Sequence, residues 1–188
     1  MLALYDRLAG GLSRLAPALV PSLARATFAA VLLVYFWSSA ATKLGPGPLG
    51  FLMPSDGAYV QIFPRAMEAA GYDSSQLGLF HWAVATAGTM AELFLPLLIV
   101  VGLFTRLAAL GMIGFILVQT VTDIFGHGVT GDDLGAWFDA MSGALIVDQR
   151  TLWVTVLLVL VFLGAGPLSL DRLLSRFRGA SAPSLQEY

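Results

Sequence analysis

The sequence predicts an all-α integral membrane protein, built as an antiparallel four-helix bundle. The first observation is composition: of 188 residues, 57% are hydrophobic and only 12% are charged, which is typical of small membrane proteins rather than soluble domains. The second is that four segments are long and apolar enough to cross a bilayer, which takes about 20 helical residues. The third is the tight "GLFTR" turn between the middle two segments, which favours antiparallel packing.

The bundle is expected to occupy residues 23–166. Its four predicted spans are residues 23–44, 79–104, 107–125 and 149–166, the last being the shortest. Two loops, 45–78 and 126–148, are too long to be simple connections, so they are expected to hold structure of their own. Pro64 can begin a short helix in the first loop.

Three amphipathic surface helices are predicted beside the spans. Residues 1–22 are expected to form an interfacial helix, because apolar residues recur there at helical spacing. Residues 167–188 are expected to form a similar segment, with Ser169 as its N-cap and a disordered tail from residue 179. In the second loop, an apolar stripe at helical spacing predicts a helix across the mouth of the bundle; it consists of Leu134, Trp137, Phe138 and Met141.

The distribution of basic residues predicts the orientation in the membrane, since cytoplasmic loops carry an excess of lysine and arginine. One side of the predicted bundle holds most of them: Arg7, Arg14, Arg25, Arg106, Arg172, Arg176 and Arg178. The other side holds Lys43, Arg65 and Arg150 together with most of the acidic residues. Both termini are therefore expected to be cytoplasmic, with two acidic loops outside.

Glu92 lies in the middle of the apolar second span. A charged group at that depth costs about 2.5 kcal/mol or more, so such residues face the bundle interior and find polar partners. By the helical period, His81, Gly88 and Glu92 share one stripe. The neighbouring spans carry polar residues in the same outer half: Ser39, Lys43, Gln119 and Asp123.

These residues together predict a polar funnel that opens outward and has Glu92 at its floor. Simpler interpretations exist for three of its members. Glu92 can be a structural partner within the bundle, Lys43 a headgroup-level anchor, and Asp123 the polar end of its helix.

The residue types limit the chemistry of such a site. The chain has no cysteine, so no cysteine-bound cofactor is expected. The two histidines, His81 and His127, are too few to predict a haem or metal site. A quinone needs an apolar cleft with one or two hydrogen-bonding side chains, and Glu92 or His81 could relay the accompanying protons. The net charge of −2 argues against nucleic acid as a partner.

Three motifs resemble the DoxX family of small four-helix inner-membrane proteins. They are Arg25 with the "KLG" at Lys43, the stretch "AELFLPLLIVVGLFTRLAAL" at 91–110, and "GAGPLSLDRLL" at 164–174. The resemblance marks Arg25, Lys43, Glu92 and Arg106 as family-motif residues. It implies a location in the bacterial inner (plasma) membrane and an association with oxidoreductase systems, some of which transfer electrons to quinone.

Two hypotheses for function follow from these residues and from the resemblance. In the first, the protein is a membrane subunit of an oxidoreductase system with a site for a quinone-like or small apolar ligand. Glu92 and His81 are then candidate proton-relay residues, and the ligand contacts are expected to be Lys43, Ser39, Gln119, Asp123 and Gly88.

In the second hypothesis, the bundle is a non-enzymatic anchor or assembly factor that docks a periplasmic or membrane partner through its outer loops. Solute or metal-ion transport is a third interpretation. It fits the acidic outer loops but not the apolar inner half of the bundle.

Overall fold

The computed structural model describes residues 1–180. Every regular element in this range is helical, which confirms the predicted all-α class. The segment predicted to be a disordered tail begins at residue 179, and its residues 181–188 lie outside the described part of the chain. Eight α-helices follow one another: α1 (Leu2–Phe28), α2 (Val34–Ala41), α3 (Asp56–Ile62), α4 (Pro64–Ala69), α5 (Leu79–Val101), α6 (Thr105–Val121), α7 (Val147–Leu163) and α8 (Leu170–Ala180).

Three helical segments within residues 1–180 are long and apolar enough to cross a membrane: Leu2–Ala41, Leu79–Val101 and Thr105–Gly126. They overlap the first three predicted spans, although the first two end three residues earlier than predicted, at Ala41 and Val101. The predicted fourth span corresponds to α7, which has 17 residues and falls just short of the usual crossing length of about 20. The described residues therefore contain three candidate membrane-spanning helices, which support a membrane protein, and the fourth crossing stays a prediction.

The first crossing segment is one continuous helix rather than a surface helix followed by a separate span. A π-helical turn, Ala29–Leu33, joins α1 to α2 without interruption. Its 40 residues give a length of about 60 Å at 1.5 Å per residue. Since the hydrocarbon core of a bilayer is about 30 Å thick, a substantial part of this helix extends past the core or tilts within it.

The hydrophobic core lies between α1, α2, α5, α6 and α7. Its fully buried side chains come from all of these helices and include Phe28, Phe36, Ile99, Met112 and Leu157. Trp153 of α7 packs its indole against Tyr35 and Phe36 at ring distances of 5.2 and 6.0 Å. A smaller cluster of Tyr59, Met67 and Ala85 fixes the loop of residues 45–78 onto α5. This loop is called the first outer loop below, and residues 126–148 are called the second outer loop.

The turn between α5 and α6 is held by side chains from α1 and from the region around the start of α8. Gly102 ends α5 with φ +72°, and a side chain there would meet Ser169 and Arg25 within about 3 Å. The Arg25 guanidinium donates to the carbonyls of Ile99 and Val100 at the end of α5, and to those of Ala165 and Leu168. These hydrogen bonds join α1 to the end of α5 and to the segment between α7 and α8.

The same turn receives an N-cap from a distant residue. The carboxylate of Asp171 accepts hydrogen bonds from the backbone N–H groups of Phe104 and Thr105, at 2.7 and 3.0 Å. Backbone N–H groups at the start of a helix have no partner within the helix, so this carboxylate satisfies donors of α6. Ser169 caps α8 as predicted, by accepting from the N–H of Arg172.

The outer loops differ in how well the sequence predicted them. The helix beginning at Pro64 is confirmed as α4. The helix predicted over 134–141 is wrong: that stretch forms turns after a short 3₁₀ segment, Gly131–Asp133. Gly135 and Phe138 both have positive φ, at +70° and +67°, which a right-handed helix does not allow.

Candidate functional site

The buried carboxylate of Glu92 forms an ion pair with Lys43. Lys43 Nζ lies 2.8 Å from Oε2 and 3.1 Å from Oε1 of Glu92, and the two residues are only 4% and 2% exposed. Each has the charged partner that a group at this depth requires. Lys43 follows the last turn of α2, where its backbone carbonyl accepts from the N–H of Ser55.

Ser39 completes this polar centre one helical turn before Lys43. Its hydroxyl donates to Glu92 Oε1 at 3.1 Å and accepts from Lys43 Nζ at 2.7 Å. The backbone carbonyl of Ser39 also lies 3.3 Å from Nζ. The three side chains Ser39, Lys43 and Glu92 therefore form one closed hydrogen-bonded set, which is called the polar floor below.

A pocket of about 410 Å³ lies against the polar floor, between α2, α3, α5 and α6. This site pocket contains six residues predicted from sequence, namely Ser39, Lys43, Gly88, Glu92, Gln119 and Asp123. Its remaining lining residues are Gln61, Ile62, Val84, Ala87, Ala91, Gly111, Gly114, Phe115, Val118, Thr122 and His127. Most of these side chains are small or apolar, so the pocket is an apolar cleft with a few polar groups.

One opening of the site pocket lies between α5 and α6. Its lining residues Ala87, Gly111, Gly114 and Val118 are exposed on the outside of these two crossing helices. Small residues at this seam leave the gap, because a larger side chain would fill it. The opening therefore faces the region where lipid surrounds a crossing helix.

Asp123 pairs with Arg150. The sequence analysis had placed Arg150 on the outer side but had not predicted it as a site residue. Arg150, at the start of α7, forms an ion pair with Asp123 Oδ2 and donates to Thr120 Oγ1 at 2.8 Å. Arg150 is only 7% exposed. This pair joins α7 to the wall of the site pocket and balances the charge of Asp123.

His81 lies outside the site pocket, although it was predicted to share a stripe with Glu92. Its ring packs edge-on against Phe63 at 4.8 Å and against Phe80 at 5.7 Å. Within residues 1–180, its buried Nδ1 has no hydrogen-bond partner. The first outer loop folds over this end of α5, so the histidine contacts that loop and not the polar floor.

Two other pocket residues had not been predicted as site residues. His127 follows the π-helical turn that ends α6, and its Nε2 lies 2.9 Å from the backbone carbonyl of Gln61. Gln61, on α3, also donates to Thr42 Oγ1 at 2.9 Å. His127 and Gln61 thus connect the first outer loop to two crossing helices at the edge of the pocket.

The remaining family-motif residues lie at the opposite end of the bundle. Arg25 holds the α5–α6 turn, as described above. Arg106 has an exposed side chain whose Nε approaches Gly164. Neither residue lines the site pocket, so both are assigned to the structure of the turn region.

A family model described as DoxX matches residues 20–127 of this chain. The chain belongs to the DoxX family. Every residue that lines the site pocket falls within the DoxX match, whereas Arg150 and Asp171 lie beyond it. Comparisons with curated proteins and with solved structures found no match.

Proposed function

We propose that this DoxX-family protein is a membrane subunit of an oxidoreductase system and binds a quinone-like or other small apolar ligand in the site pocket. The observation that carries the proposal is an apolar cleft of about 410 Å³ that ends at a buried lysine–glutamate pair. Pockets for small molecules usually measure about 300–1,000 Å³ and combine apolar walls with a few polar groups. The site pocket has both properties.

The opening between α5 and α6 supports a ligand that is dissolved in the bilayer. Such a ligand reaches the gap between α5 and α6 without crossing the outer loops, passing Gly111, Gly114 and Val118. An apolar ring would pack against Phe115 and Ile62, and a polar ring substituent would reach the polar floor. The apolar walls and the polar floor therefore fit a ring that carries a polar substituent at one edge.

A bound quinone would supply redox chemistry that the side chains of this chain lack. The protein's own contribution is to hold the ring and to manage protons at its edge. Glu92 is the proposed relay residue, because its carboxylate oxygens lie at the pocket floor and Lys43 stabilises the ionised form. His81 has no part in this proposal, since its ring packs on the first outer loop.

The proposed location is the bacterial inner membrane, with both termini cytoplasmic. The arginine-rich end of the bundle, which includes Arg7, Arg14, Arg25 and Arg106, supports this orientation. The polar floor and the two outer loops would then lie toward the periplasm.

Gly114→Leu tests the ligand site. Gly114 lines the opening of the pocket and a Cβ there meets nothing within 4 Å, so a leucine at this position should obstruct the opening with little strain, and it replaces a helical glycine. We expect the protein purified in mild detergent to carry a bound quinone, counted as the sum of its oxidised and reduced forms. The bound amount should be about tenfold or more lower in the variant. Mass spectrometry of the extracted lipids measures the quinone.

Gly11→Leu is the matched control, because Gly11 lies in α1, outside the pocket, and a Cβ there also meets nothing within 4 Å. It should retain the quinone content of the original protein. If the unaltered chain carries no quinone and binds none that is added, the proposal is wrong.

A second candidate function is that of an anchor or assembly factor for a periplasmic or membrane partner. The second outer loop supports it through three strongly exposed apolar side chains, Trp137 at 67%, Phe138 at 104% and Met141 at 64%. Exposed apolar groups of this kind are typical of docking surfaces.

Replacing both Trp137 and Phe138 with serine should abolish cross-linking to a partner in intact membranes if the second function holds. The anchor role predicts that Gly114→Leu, which obstructs the pocket opening, leaves this cross-linking unchanged. Unaltered cross-linking in the double serine variant would contradict it.

A further inference from the structure

The donor groups of the polar floor are already occupied. An ammonium group has three N–H donors, and Lys43 Nζ lies within 3.3 Å of four oxygens, all of which belong to Ser39 and Glu92. The Ser39 hydroxyl donates to Glu92 Oε1. A ligand that only accepts hydrogen bonds, such as a carbonyl compound or an ether, therefore finds no free donor on Ser39 or Lys43.

The acceptor groups of the floor are only partly occupied. A carboxylate offers about four lone-pair positions, and Glu92 uses two on Oε1 but only one on Oε2. Nearby, Gln119 Nε2 donates one of its two N–H groups to the Tyr35 hydroxyl at 3.3 Å, while its Oε1 is buried with no partner among residues 1–180. Glu92 Oε2 and Gln119 Oε1 thus have acceptor positions that no donor among residues 1–180 uses.

The pocket also carries no net charge that would attract an ion. Lys43 balances Glu92, and Arg150 balances Asp123. An ammonium or carboxylate ligand would lose its hydration without gaining an unpaired opposite charge. The chemistry therefore fits a neutral molecule with a hydroxyl donor on an apolar body.

We propose that the site pocket selects phenolic hydroxyl compounds, the class to which hydroquinones belong, over their carbonyl and ether counterparts. The hydroxyl donates to Glu92 Oε2, and the ring lies in the apolar cleft. This inference rests on the proposed function and deepens it, because it makes the reduced form of a quinone-type ligand the one that the pocket holds. A hydrogen bond to an ionised acceptor in an apolar site accounts for the preference.

Two probes of nearly equal shape test the inference, 4-pentylphenol and its methyl ether, 4-pentylanisole. Their binding to the full-length protein in mild detergent is measured by calorimetric titration. We expect the phenol to bind about tenfold more tightly than the ether. Gly114→Leu, which obstructs the pocket opening, should abolish the binding of both probes.

The role of Glu92 is tested with the double variant Lys43→Met/Glu92→Leu, which removes both charges together, and with Glu92→Gln. We expect the phenol preference to fall to about twofold or less in the double variant. A preference that persists there would overturn the assignment to Glu92 whether or not Glu92→Gln folds.

Equal binding of the two probes by the unaltered protein, abolished by Gly114→Leu, would overturn this inference and leave the proposed ligand site intact. Binding of neither probe would overturn the inference, and absence of bound quinone in the separate quinone experiment would overturn the proposed function.

Discussion

Lys43→Met should lower the free energy of unfolding by about 3–5 kcal/mol, which is typical when one partner of a buried ion pair is removed. The variant leaves the Glu92 carboxylate, which is 2% exposed, with the Ser39 hydroxyl as its remaining side-chain partner. Denaturant unfolding in detergent, followed by circular dichroism, measures the change. Arg65→Met is the control, because Arg65 is exposed on α4 and its removal should be nearly neutral.

The double variant Lys43→Met/Glu92→Leu should recover most of the lost stability. Replacing both members of a buried pair with apolar side chains of similar size is often neutral or stabilising. Recovery would show that the free energy lost by dehydrating the two charges is about equal to the free energy gained from their attraction. Stability alone would then not explain why the pair is present. If the double variant is as unstable as Lys43→Met, the ion pair is a structural requirement of the bundle.

Arg25→Lys should destabilise the protein by about 2–4 kcal/mol, although it keeps the positive charge. The planar guanidinium donates to four backbone carbonyls, those of Ile99, Val100, Ala165 and Leu168. A lysine ammonium is a single point with three donors, so it cannot reach all four at once.

The melting temperature in detergent measures the effect of Arg25→Lys. Arg7→Lys, on the exposed part of α1, is the matched control and should leave the melting temperature unchanged. An unchanged melting temperature for Arg25→Lys would contradict the proposed importance of these four bonds.

The sequence was sufficient to predict that Glu92 faces polar side chains of the neighbouring helices, Lys43 among them, although it did not predict their ion pair. Each is an ionisable residue at the edge or in the middle of an apolar segment, and the cost of an unpaired charge limits the partners available. The crossing helices were likewise predictable from their long apolar runs. An apolar run is a property of one local stretch of sequence, and only a few polar residues are available as partners for a buried charge.

The errors arose where long-range packing decides. Helical periodicity assigned His81 and Glu92 to one face, but it could not reveal that Phe63 of the first outer loop would cover the histidine ring. Apolar spacing predicted a helix over 134–141, and the positive φ of Gly135 outweighed that pattern. The pairing of Arg150 with Asp123 requires the register of α7 against α6, which spacing within either helix does not provide.

The hydrogen bonds that Arg25 and Asp171 make to the α5–α6 turn have a consequence for biosynthesis. Arg25 is made early, whereas its acceptor at Ala165 is 140 residues further along, and Asp171 follows later still. At translation rates of about 5–20 residues per second, Arg25 waits on the order of ten seconds for its last acceptors. The hairpin of α5 and α6 is therefore synthesised before its cap exists, and Asp171 can bind the turn only after the later segment has been made.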